Sequence, residues 1–279
     1  MAVAAVAAVG ACAFAAGSAL TGGDDTPTEA KAPPAPPLPQ LPGGGRRLFP
    51  DKRIVAFYGA PQDDALGTLG IGTPAQAGRR LLKAAAPYER KTRPVLPAME
   101  LIATIDRYLR AARRIHALLV LDIQPGRAGF VSETRRLAKW LREPDVALAL
   151  DPEWHVAEGQ VPGQVIGSVD ADIVDEVGAE LSKIVRQGRL PEKLLLIHQF
   201  TQGMIVGKET LTRHPGVALT INVDGFGDRA NKVSKYEMFT DERVRFNDGF
   251  KLFYEEDTNL MSPAGVLALR PPPDVVVYE

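Results

Sequence analysis

The sequence predicts a (β/α)8 barrel preceded by an N-terminal segment that does not fold with it. Eight short apolar segments alternate with segments of helical periodicity between residue 48 and residue 279. Most of the apolar segments are continuous, which is typical of parallel strands covered on both faces. The chain has 279 residues, 45% of them apolar, which suffices for one large barrel and a tail. A doubly wound open sheet is the alternative fold.

The strands and helices are predicted in strict alternation. The eight strands lie within residues 53–59, 93–104, 117–126, 146–152, 193–200, 216–227, 249–257 and 274–279. The helical patterns cover residues 72–86, 105–116, 130–143, 169–188, 204–213, 229–239 and 262–269. Thr73 is expected to cap the first helix with Pro74 at its first position, and Ser262-Pro263 opens the last helix in the same way. No helix is predicted after the eighth strand.

The N-terminus predicts export to the cell envelope. Residues 1–20 form an alanine-rich apolar leader that resembles a secretory signal, although no Lys or Arg occurs before Lys31. The box Val9-Gly10-Ala11-Cys12 resembles a lipoprotein cleavage site, so Cys12 is the predicted lipidation residue and the only expected membrane contact. Residues 21–47 are rich in Pro and Gly and are predicted to be a disordered linker to a barrel domain at 48–279. A disordered leader on a cytoplasmic protein is the alternative.

Composition and motifs argue against several classes of function. The net charge is −1 and no basic stripe occurs, so no nucleic-acid partner is expected. The segment GTLGIG at 67–72 does not match a dinucleotide fingerprint, and neither a GxSxG elbow nor a metal-binding histidine spacing is present. We therefore expect no cofactor and no metal. The single cysteine excludes an intrachain disulfide.

Polar and aromatic residues gather where the predicted strands end, and the C-terminal ends of the strands carry the site in such barrels. These strand-end residues are Tyr58, Glu100, Asp122, Gln124, Asp151, Glu153, Trp154, His198, Gln199, Asn222, Asp224, Tyr254, Glu255, Glu256, Asp257, Tyr278 and Glu279. Any one of them could instead cap a helix or pair with an arginine. Their number at the strand ends indicates a site.

The mixture of carboxylates, amides and aromatic rings is typical of a carbohydrate site. Glycoside hydrolysis needs a protonated carboxyl group and a second carboxylate across the scissile bond. We expect Glu153 to be the acid and Glu255 or Glu256 to be the nucleophile. The predicted substrate-binding residues are Tyr58, Glu100, Asp122, Gln124, Asp151, Trp154, His198, Gln199, Asp224 and Tyr254. The long connection at 152–169 is expected to form a lid.

This placement resembles that of the large clan of retaining (β/α)8 glycosidases, which carry the acid on strand four and the nucleophile on strand seven. Asp151-Pro152-Glu153 stands here in place of that clan's Asn-Glu pair. The segments LVLDIQPGRAGF, LALDPEWHV, GQVPGQVIGSVD, HQFTQGMI, NVDGFG and FKLFYEEDTNLMSP resemble an uncharacterised family of secreted or lipoprotein-like actinobacterial TIM-barrel proteins. That resemblance implies a barrel fold and an envelope location, and it implies no reaction.

The function expected from the sequence is hydrolysis of a cell-envelope carbohydrate by a monomeric, secreted or lipid-anchored barrel. The alternative is a non-catalytic barrel that binds a glycan or another envelope component. The two differ in whether two carboxyl groups face one another across an open cleft.

Overall fold

The computed structural model describes residues 36–61, 66–102, 104–240 and 246–279. The predicted leader, Cys12 and the first part of the predicted linker lie outside the described residues. One compact unit extends from Leu38 to Glu279. None of the described helices is both long and apolar enough to cross a bilayer.

The predicted barrel is confirmed. Eight parallel strands close in the order β1-β8-β7-β6-β5-β4-β3-β2. They are β1 (Arg53–Gly59), β2 (Val95–Leu101), β3 (Leu118–Ile123), β4 (Val146–Leu150), β5 (Lys193–Gln199), β6 (Val217–Val223), β7 (Asn247–Leu252) and β8 (Val275–Tyr278). Seven of the eight predicted segments contain the whole of one of these strands, and the predicted segment 249–257 overlaps β7, which begins at Asn247 and ends at Leu252.

Helices surround the barrel, but one predicted helix is absent. The helices are α1 (Pro74–Ala85), α2 (Ile105–Arg114), α3 (Phe130–Arg136), α4 (Ala138–Leu141), α5 (Ala171–Gly188), α6 (Arg229–Phe239) and α7 (Pro263–Leu267). The prediction of a helix at 204–213 was wrong. Ile205–Val206 instead pairs with Val169–Asp170 as a small parallel sheet. Gly207 then adopts a left-handed conformation with φ of 71°, which stops any continuing helix.

Alternation along the strands divides the core into two layers. In β1, Val55 and Phe57 pack outward into the cluster formed with the helices. Ile54, Ala56 and Tyr58 pack inward with the matching residues of the other strands. The same period of two applies to each strand, so a residue's parity decides whether it faces the barrel interior. This parity selects which strand-end residues can meet.

The segment before β1 belongs to the barrel. Leu41 and Leu48 are buried in the inner cluster beside Ile54 and Leu118, near the N-terminal ends of the strands. Arg46 donates to the backbone carbonyl of Leu190, 2.8 Å away. The predicted linker boundary at residue 47 is therefore corrected, because the compact unit begins at Leu38. Leu41 supplies buried apolar surface that the Pro- and Gly-rich composition of the predicted linker obscured.

Candidate functional site

All eight strands contribute to one layer of polar side chains at the C-terminal end of the barrel interior. This polar layer consists of Tyr58, Glu100, Asp122, Asp151, His198, Asn222, Asp224, Lys251 and Glu279. All of them except Glu279 are buried. Three of these residues come immediately after the last residue of their strands: Asp151, Asp224 and Glu279. These residues meet because their side chains face the barrel interior and lie at the same level along the barrel axis.

His198 lies between two carboxylates in the polar layer. Its Nδ1 atom is 2.6 Å from Oδ2 of Asp224, and its Nε2 atom is 2.9 Å from Oε1 of Glu100. Oδ1 of Asp122 lies 3.9 Å from the same Nε2 atom. Asn222 donates to the other oxygen of Asp224 at 2.6 Å. The ring is thereby fixed in position and orientation.

Lys251 is a site residue that the sequence analysis missed. Its Nζ atom lies 2.7 Å from Oε2 of Glu279 and 3.5 Å from Oδ2 of Asp224. The ammonium also lies over the ring of Tyr58, 3.8 Å from the centroid. The sequence contains the information that locates it. Lys251 lies two residues after Gly249, so both residues face the barrel interior. Lys251 was overlooked because β7 was predicted to continue to residue 257.

A second group of hydrogen bonds joins β1, β3 and the end of β4. Gln124 donates to the hydroxyl of Tyr58 at 2.9 Å and to Oδ2 of Asp151 at 3.3 Å. The hydroxyl of Tyr58 is 3.4 Å from Oδ2 of Asp122. Oδ1 of Asp151, Oδ1 of Asp122 and Oε2 of Glu100 are buried without a hydrogen-bond partner in the protein. Such orphaned carboxylate oxygens are expected where a ligand, an ion or a proton is to be bound.

Burial and mutual repulsion keep several of these carboxyl groups protonated to higher pH than usual. Burial raises the pKa of Asp151 to about 6. Burial and the charge of Asp151 raise the pKa of Asp122 well above its usual value. Burial also raises the pKa of Glu153 to about 7, and the charges of Asp151 and Asp224 add to this shift.

The two basic groups of the layer, His198 and Lys251, and the carboxylates beside them favour each other's charged forms. Burial opposes the charge on His198, but Asp224 and Glu100 raise its pKa well above the usual value. Burial likewise opposes the charge on Lys251, yet Asp224 and Glu279 raise its pKa. Burial would raise the pKa of Asp224, but His198 and Lys251 lower it. Asp224 is therefore an ionised carboxylate among protonatable ones.

Glu153 and Trp154 lie at the rim of the polar layer, in the short 3-10 helix Pro152–Trp154 that follows β4. Both are half-buried. The chain then forms an ordered loop, residues 155–168, which we call the covering loop. The loop is hydrogen-bonded to the rim, because the backbone N–H of Gly167 donates to the carbonyl of Glu153 at 2.8 Å. This hydrogen bonding indicates a shaped loop, and its role as a lid stays a prediction.

The covering loop also packs against Trp154. The position that a Cβ atom of Gly163 would occupy is 3.5 Å from the indole ring. The indole Nε1 is buried and has no hydrogen-bond partner in the protein. At the other end of the loop, Val156 donates to the carbonyl of Gly126 at 3.0 Å. Trp154 thus lies half-buried between the rim and the loop.

Three predicted residues of the seventh strand lie in a different place. Tyr254, Glu255 and Glu256 follow the end of β7 in a turn and are exposed. They line a cavity of about 580 Å³ beside α1, together with Phe57 and Glu279. The ring of Tyr254 stacks on Tyr278 at 5.3 Å between centroids. Glu279, whose carboxylate also pairs with Lys251, is the residue common to this cavity and the polar layer.

Gln199 also lies away from the polar layer. Its parity is opposite to that of His198, and its Oε1 atom accepts a hydrogen bond from Nζ of Lys208 at 2.8 Å. Its Nε2 atom donates to the carbonyl of Thr201 at 3.2 Å. Its position at a strand end suggested a site role, but a residue adjacent to an inward one points outward. The structure therefore does not bring Gln199 together with the residues of the polar layer.

No protein-family model matches this chain, and no curated protein is significantly similar to it. The resemblance to actinobacterial envelope barrels stays a prediction. The chemistry of the site must be argued from its own residues.

Proposed function

We propose that this protein is a hydrolase of carbohydrates, with Glu153 as the proton donor at the C-terminal mouth of the barrel. The polar layer supports a hydroxyl-rich substrate, since carboxylates, an amide and an ammonium can all bond to sugar hydroxyls. A cell-envelope substrate is part of the proposal and rests on the leader sequence. A barrel fold alone is compatible with many functions, and the residues of the site decide among them.

The observation that carries the proposal is the environment of Glu153. It is the half-buried carboxyl group at the rim, and the buried carboxylates beside it disfavour its ionisation. Its pKa is raised to about 7 by burial and by Asp151 and Asp224. A general acid works best when its pKa lies near the working pH. Glu153 can therefore donate a proton to a leaving-group oxygen at neutral pH.

The second carboxylate is assigned to Asp151. Glycoside hydrolysis requires a base or nucleophile beside the acid. Both oxygens of Asp224 already accept hydrogen bonds, whereas Oδ1 of Asp151 has no partner. Glu255 and Glu256 line the separate cavity. We therefore favour Asp151 over the two strand-seven glutamates for this role.

The test compares Glu153→Gln with Glu158→Gln, a matched change at an exposed position of the covering loop. Both variants and the wild type are incubated with soluble peptidoglycan fragments and with arabinan, galactan and mannan oligosaccharides, and released reducing ends are measured. We expect Glu153→Gln to fold normally and to lose turnover by about 10²–10⁴-fold, as for a lost general acid. Glu158→Gln should retain wild-type turnover.

Two outcomes would count against the proposal. Full turnover by a folded Glu153→Gln protein removes Glu153 as the proton donor. Saccharide binding by calorimetry with no turnover by the wild type would favour the non-catalytic glycan-binding barrel.

A further inference from the structure

Three side chains on β2, β3 and β5 converge at the centre of the polar layer with the donor set of a metal site. From their geometry we infer that Glu100, Asp122 and His198 bind a divalent transition-metal ion of the Zn²⁺ or Mn²⁺ class. One ligand atom from each of the three lies within 4.8 Å of the others. All three side chains have no solvent exposure. The ion would occupy the same polar layer as the proposed active site, but the inference does not rest on the proposed reaction.

The distances suit one shared ion. A metal bound at about 2.0–2.2 Å from nitrogen and oxygen ligands holds those ligands about 3–3.5 Å apart. Nε2 of His198 lies 2.9 Å from Oε1 of Glu100 and 3.9 Å from Oδ1 of Asp122. These two separations bracket the required range. Small side-chain movements would therefore complete the coordination.

Unsatisfied oxygens at the same place are the second observation. Oδ1 of Asp122 is buried without a hydrogen-bond partner, and it is the atom directed at Nε2 of His198. Oε2 of Glu100 is also buried and unpartnered. Buried carboxylate oxygens normally have donors, and leaving them without any is costly. A bound cation would satisfy both carboxylates.

The ring of His198 is already oriented as a ligand. A histidine that binds a metal commonly donates its other ring N–H to a carboxylate. Here Nδ1 faces Oδ2 of Asp224 at 2.6 Å, so an ion would bind Nε2 in place of the proton that this atom directs at Glu100. Asn222 holds the other oxygen of Asp224 at 2.6 Å. Asp224 is thus the positioning residue of the site.

The charges of the layer favour a further cation. Its acidic members are Glu100, Asp122, Asp151, Asp224 and Glu279. Among the described residues of the layer, Lys251 and the imidazole of His198 are the groups that can carry positive charge. Carboxylates buried in excess of cations must either hold protons or bind a metal. One imidazole and two carboxylates suit Zn²⁺ or Mn²⁺ better than Ca²⁺, which prefers six to eight oxygen ligands.

The experiment measures metal directly on the full chain. Protein freed of metal by chelator dialysis is titrated with Zn²⁺ or Mn²⁺ alone, and bound metal is measured by calorimetry and by elemental analysis after gel filtration. The variants are Glu100→Gln, Asp122→Asn and His198→Gln, with Glu158→Gln as the matched control. We expect one equivalent for the wild type and the control, and affinity at least about 100-fold weaker for the three variants. Asp224→Asn should weaken binding by about 10–100-fold.

Folding of every variant is checked by circular dichroism without metal. Asp122→Asn is nearly isosteric with the wild type, so its metal affinity tests the inference if His198→Gln does not fold. Absence of a stoichiometric ion from the wild type, or wild-type affinity in folded Asp122→Asn protein, would overturn the inference. Because no substrate is used, a negative result here is distinguishable from failure of the proposed hydrolysis.

Discussion

Lys251 and Glu279 form an ion pair between the ends of β7 and β8, with 2.7 Å between Nζ and Oε2. The side chain of Lys251 is 5% exposed and that of Glu279 is 22% exposed. The same ammonium contacts Asp224 and the ring of Tyr58. One lysine therefore balances two carboxylates of the polar layer, and Glu279 connects that layer to the neighbouring cavity.

Replacing Lys251 should destabilise the barrel strongly. Lys251→Met leaves Asp224 and Glu279 without their cation, and breaking a buried pair in this way costs about 3–5 kcal/mol. The free energy of unfolding is measured by urea denaturation. Lys183→Met, at an exposed position of α5, should change it by less than about 0.5 kcal/mol. Equal stability of the two variants would show that the pair contributes nothing.

Stability should fall with rising pH because of Glu153. The pKa of Glu153 is raised to about 7 in the folded protein, whereas it is about 4.3 in an unfolded chain. Between these values the folded state holds a proton that the unfolded state has released, so the free energy of unfolding decreases as pH rises. Glu153→Gln should lose part of this decrease between pH 4.5 and pH 7.

Urea denaturation at several pH values checks this, and Glu158→Gln should follow the wild type. A Glu153→Gln protein with the same pH dependence as the wild type would mean that burial does not perturb this carboxyl group.

The covering loop should depend on Gly167. A Cβ atom at this position would lie 2.1 Å from the carbonyl oxygen of His155 and 2.6 Å from that of Pro152. Backbone atoms cannot move aside as a flexible side chain can, so Gly167→Ala should destabilise the loop by about 1–3 kcal/mol. Hydrogen exchange in residues 155–168 should increase. Gly203→Ala, where no atom lies within 4 Å of the added methyl group, should leave that exchange unchanged.

The segment before β1 should add stability to the barrel. A chain that begins at residue 48 lacks Leu41, and losing a buried leucine side chain costs about 2–5 kcal/mol. It also lacks the hydrogen bonds from Arg46 to the carbonyls of Arg189 and Leu190. A chain that begins at residue 38 should therefore have the higher melting temperature. Equal melting temperatures would show that residues 38–47 add no stability to the barrel and belong to the linker.

The fold could be predicted from the sequence because most of the strands are continuous apolar segments of the expected length. The absent helix shows the limit of local pattern. Residues 204–213 look helical, yet pairing of Ile205–Val206 with Val169–Asp170 depends on a distant segment. The ordered segment at 38–47 also depends on contacts with distant strands, which composition does not reveal.

The site was predicted in outline, because polar strand ends must meet at one end of a parallel barrel. The sequence pattern did not reveal where β7 ends. Because β7 ends at Leu252, Lys251 enters the polar layer while Tyr254, Glu255 and Glu256 lie outside it. Parity, applied strictly, would have included Lys251 and excluded Gln199.

The most direct test of the proposed active site is a crystal structure of Glu153→Gln protein with the oligosaccharide that the wild type cleaves. We predict that the saccharide lies over the polar layer, with its scissile glycosidic oxygen about 2.6–3.2 Å from the side-chain amide at position 153. Asp151 should face the same sugar. A saccharide bound only in the cavity beside Tyr254, with no atom near position 153, would contradict this assignment.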